Sequence, residues 1–127
     1  FTEETITNYM KARGWKKIIH KSTINHHLKR ENLNIGFQLA FQCPYNKFSL
    51  SIIAGSYFYS KPRAKSLEYS EVEIGLLRND KLVPLNGNSK FFSHDIIEGY
   101  ADWDKFKQIV ENVETLTKVD ENLNGGN

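Results

Sequence analysis

Between Leu33 and Cys43 the chain alternates. Leu33, Ile35, Phe37, Leu39, Phe41 and Cys43 take every second position, and Asn34, Gly36, Gln38, Ala40 and Gln42 fill the gaps. A period of two places the large apolar side chains on one face of a strand. Pro44-Tyr45-Asn46-Lys47 then reverses the chain, and Phe48, Leu50 and Ile52 alternate again. Proline suits the second position of a type I turn, and four-residue hairpin loops are commonly built around one. The pattern predicts a hairpin over 33–54, with Cys43 opposite Phe48, Phe41 opposite Leu50, Leu39 opposite Ile52 and Gly36 opposite Gly55. A slip of one residue would turn every large side chain to water, so the register is tightly specified. Burial of these side chains contributes on the order of 10 kcal/mol before chain entropy is subtracted. The strand pair is therefore the expected centre of the core.

Helical spacing appears at the two ends. Thr2 suits an N-cap, Glu3 and Glu4 suit the positive end of a helix, and Ile6, Tyr9, Met10 and Arg13 share a face. With Gly14 as a stop, residues 3–13 read as a short amphipathic helix. Near the other end, Asp102 is a good N-cap, and Trp103, Phe106, Ile109, Val110, Val113 and Leu116 form an apolar stripe. Trp15–Lys21 reads as a strand whose lysines Lys16, Lys17 and Lys21 guard an edge. Ser22–Asn32 has no clear period.

Tyr69–Leu77 reads as a further strand, because Val72, Ile74 and Leu76 alternate with Glu71, Glu73 and Gly75. Asn79-Asp80 suits a two-residue type I′ turn, which sets Leu76 opposite Val83 and Ile74 opposite Leu85. Pro84 cannot donate to a ladder, so the returning strand is an edge or is bulged. Asn86–His94 reads as a loop, and Asp95–Tyr100 as a short turn or strand ended by Gly99. The expectation is an α+β fold: an N-terminal helix, a meander-like antiparallel sheet of about five strands, and a C-terminal amphipathic helix packed on one sheet face. One domain covers 1–119, and a flexible tail covers 120–127.

A chain of 127 residues can bury a core of its own without staples. The single cysteine excludes an internal disulfide, and no Cys/His spacing fits a zinc site. Cys43 falls on the apolar face of its strand and reads as an inert core thiol. No apolar run reaches membrane-spanning length and no signal peptide is visible, although the start at Phe1 rather than Met leaves room for a removed leader. The expected location is the reducing bacterial cytoplasm. A net charge of +2 hides an asymmetry: residues 1–65 carry 11 Lys/Arg against 3 Asp/Glu, and residues 66–127 carry 6 against 12. Pairing across strands and helix surfaces is the favoured explanation; a basic face for an acidic partner is the other.

The search for chemistry gives little. There is no phosphate-binding glycine loop, no nucleophile elbow and no H-E-x-x-H helix. Adjacent residues on a strand point to opposite faces, so His26-His27 is a poor chelating pair. His20 and His94 read as surface histidines. Asp102 and Asp104 are explained by the start of a helix. No catalytic residue, metal ligand or cofactor is assigned. A site assembled from the scattered residues His94, Asp95 and Glu98 is the only enzymatic alternative.

One segment interleaves aromatic and basic residues: Tyr57, Phe58, Tyr59, Lys61, Arg63 and Lys65. Such a cluster can stack bases and hold phosphates, or form a protein hot spot, where Tyr and Arg are enriched. The plainer reading sends two aromatics into the core and leaves a solvated lysine-rich loop. Tyr57, Tyr59, Lys61, Arg63 and Lys65 are the candidate partner-binding residues. Lys16, Lys17, Lys29 and Arg30 are candidate nucleic-acid contacts if the strands bring them to the same face.

Ile53–Tyr59, Glu71–Leu77, Asp95–Tyr100 and the helix Trp103–Leu116 together resemble small uncharacterised α+β accessory proteins of phages and prophages. Those carry a serine-valine-rich strand, a glycine-tyrosine loop, a "YEVA"-like strand, a "DVIGY"-like turn and a C-terminal helix. Here the loop is basic rather than glycine-rich, and Glu98 stands before the Gly-Tyr pair. The resemblance covers about half of the chain and brings no catalytic residues. It implies a phage or mobile-element origin and a non-enzymatic protein that binds or inhibits a host macromolecule, such as a defence nuclease or polymerase. The alternative is a nucleic-acid-binding domain using the same face. An exposed edge strand or a wholly apolar sheet face would favour a dimer.

Overall fold

A computed structural model of the chain describes residues 1–20, 35–83 and 97–117. Among the described residues the element order is α1 (Glu3–Ala12), β1 (Lys16–Ile18), β2 (Ile35–Gln42), β3 (Phe48–Gly55), β4 (Val72–Arg78), β5 (Lys81–Leu82), β6 (Ile97–Ala101) and α2 (Trp103–Glu114). The strands form one antiparallel sheet in the order β1-β2-β3-β4-β5, and β6 also pairs with β4. Because β3 occupies one edge of β4, β5 and β6 share the other, β5 against Leu77 and Arg78 and β6 against Val72–Gly75. The first five strands form the expected meander, and the sixth closes its far edge.

The central hairpin has the expected register over most of its length. Phe41 faces Leu50, Leu39 faces Ile52, and the Cys43 N–H donates to the Phe48 carbonyl at 3.0 Å. The open end differs: Ile35, not Gly36, faces Gly55, because a bulge falls between Ile35 and Phe37. At the second hairpin Asn79 and Asp80 have φ of 55° and 62°, as a type I′ turn requires, and the Val83 N–H donates to Leu76 at 3.0 Å.

The N-terminal strand is shorter than its pattern suggests. It ends at Ile18, and Ile19 is exposed. The strand expected from Tyr69 begins only at Val72, and Tyr69 instead turns inward ahead of it. The segment expected to stop at Gly99 runs on as a strand to Ala101. The expectations for Lys21, Ser22–Asn32, Leu85, the loop Asn86–His94 and the tail 120–127 fall outside the described residues.

Both helices contribute to one core. Ile6 and Met10 of α1 and Phe106, Ile109, Val110 and Val113 of α2 are fully buried with Phe41, Phe48, Leu50, Ile52, Val72, Ile74 and Leu76 of the sheet. Helix α1 starts with a capping box between Thr2 and Thr5. It ends in a Schellman arrangement: Gly14, at φ +87°, donates to Lys11, and Trp15 donates to Met10. Cys43 is buried, and burial pushes its thiol pKa up, as expected of an inert core cysteine.

A polar clamp ties the helices together. Arg13 Nε and Nη2 donate to the two oxygens of Glu114 at 3.0 and 2.6 Å, and Trp15 Nε1 donates to the same carboxylate at 2.8 Å. This ion pair crosses between the basic and acidic halves of the chain, as does Lys61 with Glu71. Burial alone would raise the Glu114 pKa, but the bonds from Arg13 and Trp15 outweigh it and hold the carboxyl below its ordinary value. A lowered folded-state pKa stabilises above the unfolded value, and that stabilisation is lost as the pH falls through the folded one. Glu114→Gln is therefore expected to cost about 2 kcal/mol at neutral pH. The gap to the wild type should narrow as the pH falls below the ordinary glutamate range. Urea denaturation at neutral pH and in acid measures both effects.

Candidate interaction surface

The aromatic-basic segment follows the end of β3 and is anchored from within. Ser60 is fully buried, and its Oγ accepts the Gly55 N–H at 3.1 Å. The Lys61 N–H donates to the Glu71 carbonyl at 2.9 Å, and the Ser70 N–H returns to the Lys61 carbonyl at 2.8 Å. Tyr69 lies with its ring in the core, edge-on to Phe37 at 5.4 Å. Its hydroxyl donates to the Ala64 carbonyl at 2.6 Å and accepts the Ser66 N–H at 2.8 Å. The loop that carries Arg63 and Lys65 is thus fastened from beneath by one buried phenol.

Above these anchors, Tyr57 and Tyr59 point outward, 48% and 45% exposed, so they do not enter the core. Only Phe58, between them, is half-buried. The Arg63 guanidinium lies over the Tyr59 ring at 5.1 Å, a cation–π contact. The ring of Tyr100 lies 5.7 Å from that of Tyr59 and is itself 46% exposed. Lys65 and Leu67, further along the same loop, are also exposed.

Tyr100 comes from β6, and its backbone is strained. It has φ +53°, a left-handed conformation that costs a bulky residue about 1–2 kcal/mol. It sits where the β4–β6 ladder shifts register, between the pairs Val72/Ala101 and Ile74/Glu98. Its N–H donates to the Tyr59 carbonyl at 2.8 Å. Gly99 makes the approach possible: a Cβ there would fall 2.9 Å from the Tyr59 Cβ. The Gly-Tyr pair is therefore the means by which two distant segments bring their tyrosines together.

Glu73 lies beneath the cluster and accepts the Tyr59 N–H at 3.0 Å. Burial pushes its pKa up, against the pull of that N–H and of Arg63. Lys61 reaches Glu71 at 3.8 Å. Two of the three cations of the segment thus have a carboxylate nearby.

The other sequence-derived candidates are not brought here. Lys16 pairs with Gln42, near the β2–β3 turn, whereas the tyrosine loop leaves the opposite end of β3. Eight residues of strand separate those ends, roughly 25 Å at 3.3 Å per residue. Lys17 pairs with Glu3 at 3.7 Å. Lys29, Arg30, His94 and Asp95 fall outside the described residues, and Glu98 lies on β6.

The described residues contain no group of three or more His, Cys, Asp or Glu that could hold a metal. They do contain a serine–histidine contact: His20 Nε2 lies 2.7 Å from Ser51 Oγ, and burial lowers the His20 pKa. A nucleophilic serine also needs N–H donors for the developing oxyanion. Ser51 sits in mid-strand between Ala40 and Gly75, where the backbone N–H groups serve the two ladders. The contact ties the segment after β1 to the middle of β3. No helix among the described residues is long and apolar enough to cross a membrane.

The architecture is that of an α+β protein with an exposed aromatic-basic surface at one sheet end. No protein-family model, curated protein or solved structure matches the chain.

Proposed function

We propose that this is a non-enzymatic binding protein that engages another macromolecule through Tyr57, Tyr59, Arg63, Lys65 and Tyr100. The observation that carries this reading is the Tyr59–Tyr100–Arg63 cluster, exposed to solvent and held by a backbone conformation that costs energy. Strain of that kind persists only where the surrounding structure imposes it, and exposed aromatic groups clustered around an arginine have the composition of a protein hot spot. The mechanism is occlusion by a preformed surface. In line with the resemblance to phage accessory proteins, the partner is a host protein of the bacterial cytoplasm.

The charge arrangement favours a protein over a nucleic acid. A phosphate-tracking groove needs a run of free cations. Here Glu71 and Glu73 lie against the basic loop, and Lys16 and Lys17 are at the far end of the sheet. Arg63→Glu combined with Lys65→Glu is expected to abolish partner binding and to leave the melting temperature nearly unchanged, since both side chains are exposed. Full binding by that double variant would remove the segment from consideration.

A further inference from the structure

The end of the sheet away from the tyrosines holds a second feature. Phe48, at the start of β3, pairs with Arg78, at the end of β4, so the β2–β3 and β4–β5 turns lie side by side. Between them is a groove of about 310 Å³, whose polar walls are Gln42, Lys47, Ser49, Arg78, Asn79 and Asp80.

Most of these groups are already occupied. Gln42 Nε2 donates to the carbonyls of Cys43, Asn46 and Phe48, and its Oε1 accepts from the Ser49 hydroxyl at 3.0 Å. Lys47 and Asp80 each have an interaction of their own. Arg78 is the exception. Its Nη1 donates to Asn79 Oδ1 at 2.9 Å, while its Nε is buried with no acceptor among the described residues. An orphaned N–H on a charged group is expensive, and native structures rarely leave one without a reason.

The edge that carries the orphaned Nε is the one that binds carboxylates and phosphates side-on. Nε and Nη2 present two parallel N–H groups at the spacing of two oxyanion oxygens. Arg13 shows the completed form in this same protein, with Nε and Nη2 on the two oxygens of Glu114. At Arg78 the bond to Asn79 fixes the opposite corner of the guanidinium, and the left-handed turn at Asn79-Asp80 holds that asparagine in place.

We propose that this groove is a binding site for a small oxyanion, a carboxylate or a phosphate ester, held on the Nε–Nη2 edge of Arg78. Binding turns that edge out of its buried position into the groove, with the Asn79 contact as the pivot. The volume suits a compact anionic metabolite and not a polymer. The site lies at the opposite end of the sheet from the tyrosine surface, so it stands or falls independently of the proposed function.

The test is a titration of the ¹⁵N-labelled protein with inorganic pyrophosphate and, separately, with malonate, following the Arg78 Nε–H resonance. Saturable shift of that resonance by either probe, with slowed exchange against water, is the expected result, and the responding probe identifies the ligand chemistry. Arg78→Lys keeps the charge but lacks the edge, and should weaken binding at least tenfold. Asn79→Gly keeps the turn but removes the tether, and should weaken it several-fold even if the lysine variant does not fold. No shift with either probe, or equal binding by a folded Arg78→Lys protein, overturns the proposal.

Discussion

Gly36→Ala should destabilise the protein by about 3 kcal/mol, well beyond the ordinary cost of a surface substitution. A methyl group at this position would collide with the Tyr69 ring, 2.6 Å from Cε1 and Cζ and closer still to the hydroxyl. Tyr69 cannot retreat, because its ring is packed in the core against Phe37 and its hydroxyl is bonded to Ala64 and Ser66. The added carbon must therefore break the clamp under the binding loop or push β2 away from it. A shift of roughly 10 °C in the melting temperature follows for a chain of this size. The loop from Ala64 to Ser66 should gain amide exchange at the same time, because its internal acceptor and donor are lost. A loss below about 1 kcal/mol would contradict the placement of Tyr69 over Gly36.

Tyr100→Gly should separate stability from binding. Glycine adopts the left-handed conformation without the Cβ penalty, so relief of strain offsets the lost packing on Tyr59, and stability should hold or rise by up to about 1 kcal/mol. Binding should fall at least tenfold, since an aromatic anchor at the centre of a contact surface is commonly worth about 2 kcal/mol or more. A tyrosine kept only for structure would give the reverse, a less stable protein with unchanged affinity. Thermal melts and an affinity measurement on the same preparation distinguish the two.

The alternation from Leu33 to Ile52 is legible because a period of two leaves one arrangement in which all the large residues are buried. The capping residues Thr2, Gly14 and Asp102 are legible because each satisfies a helix-end requirement that few side chains meet. Gly36 misleads, since its place in the alternation suggests a plain pairing with Gly55, whereas the ring of a residue 33 positions later requires a bulge. Tyr69 misleads for the same reason: its neighbours look like a strand, and only the fold shows that its ring is needed below the loop.

The candidate surface is partly legible. Tyr57, Tyr59 and Arg63 stand out by composition, because aromatic and basic side chains are adjacent in sequence. Tyr100 does not, because Gly99 before it reads as a stop rather than as the gap that admits Tyr59. Glu73 is hidden as one polar position in an alternating strand. Its role under Tyr59 depends on strand pairing that no local pattern encodes. Arg78 looks like any residue at a strand end until the two turns are set side by side.

The central claim is that the tyrosine-arginine surface binds a protein. The most direct measurement is affinity capture from bacterial lysate, with and without nuclease, using the wild type beside the Arg63→Glu, Lys65→Glu variant. The account predicts a discrete protein retained by the wild type after nuclease treatment and absent from the variant. Equal capture of that protein by both, or capture that vanishes with nuclease, would contradict it.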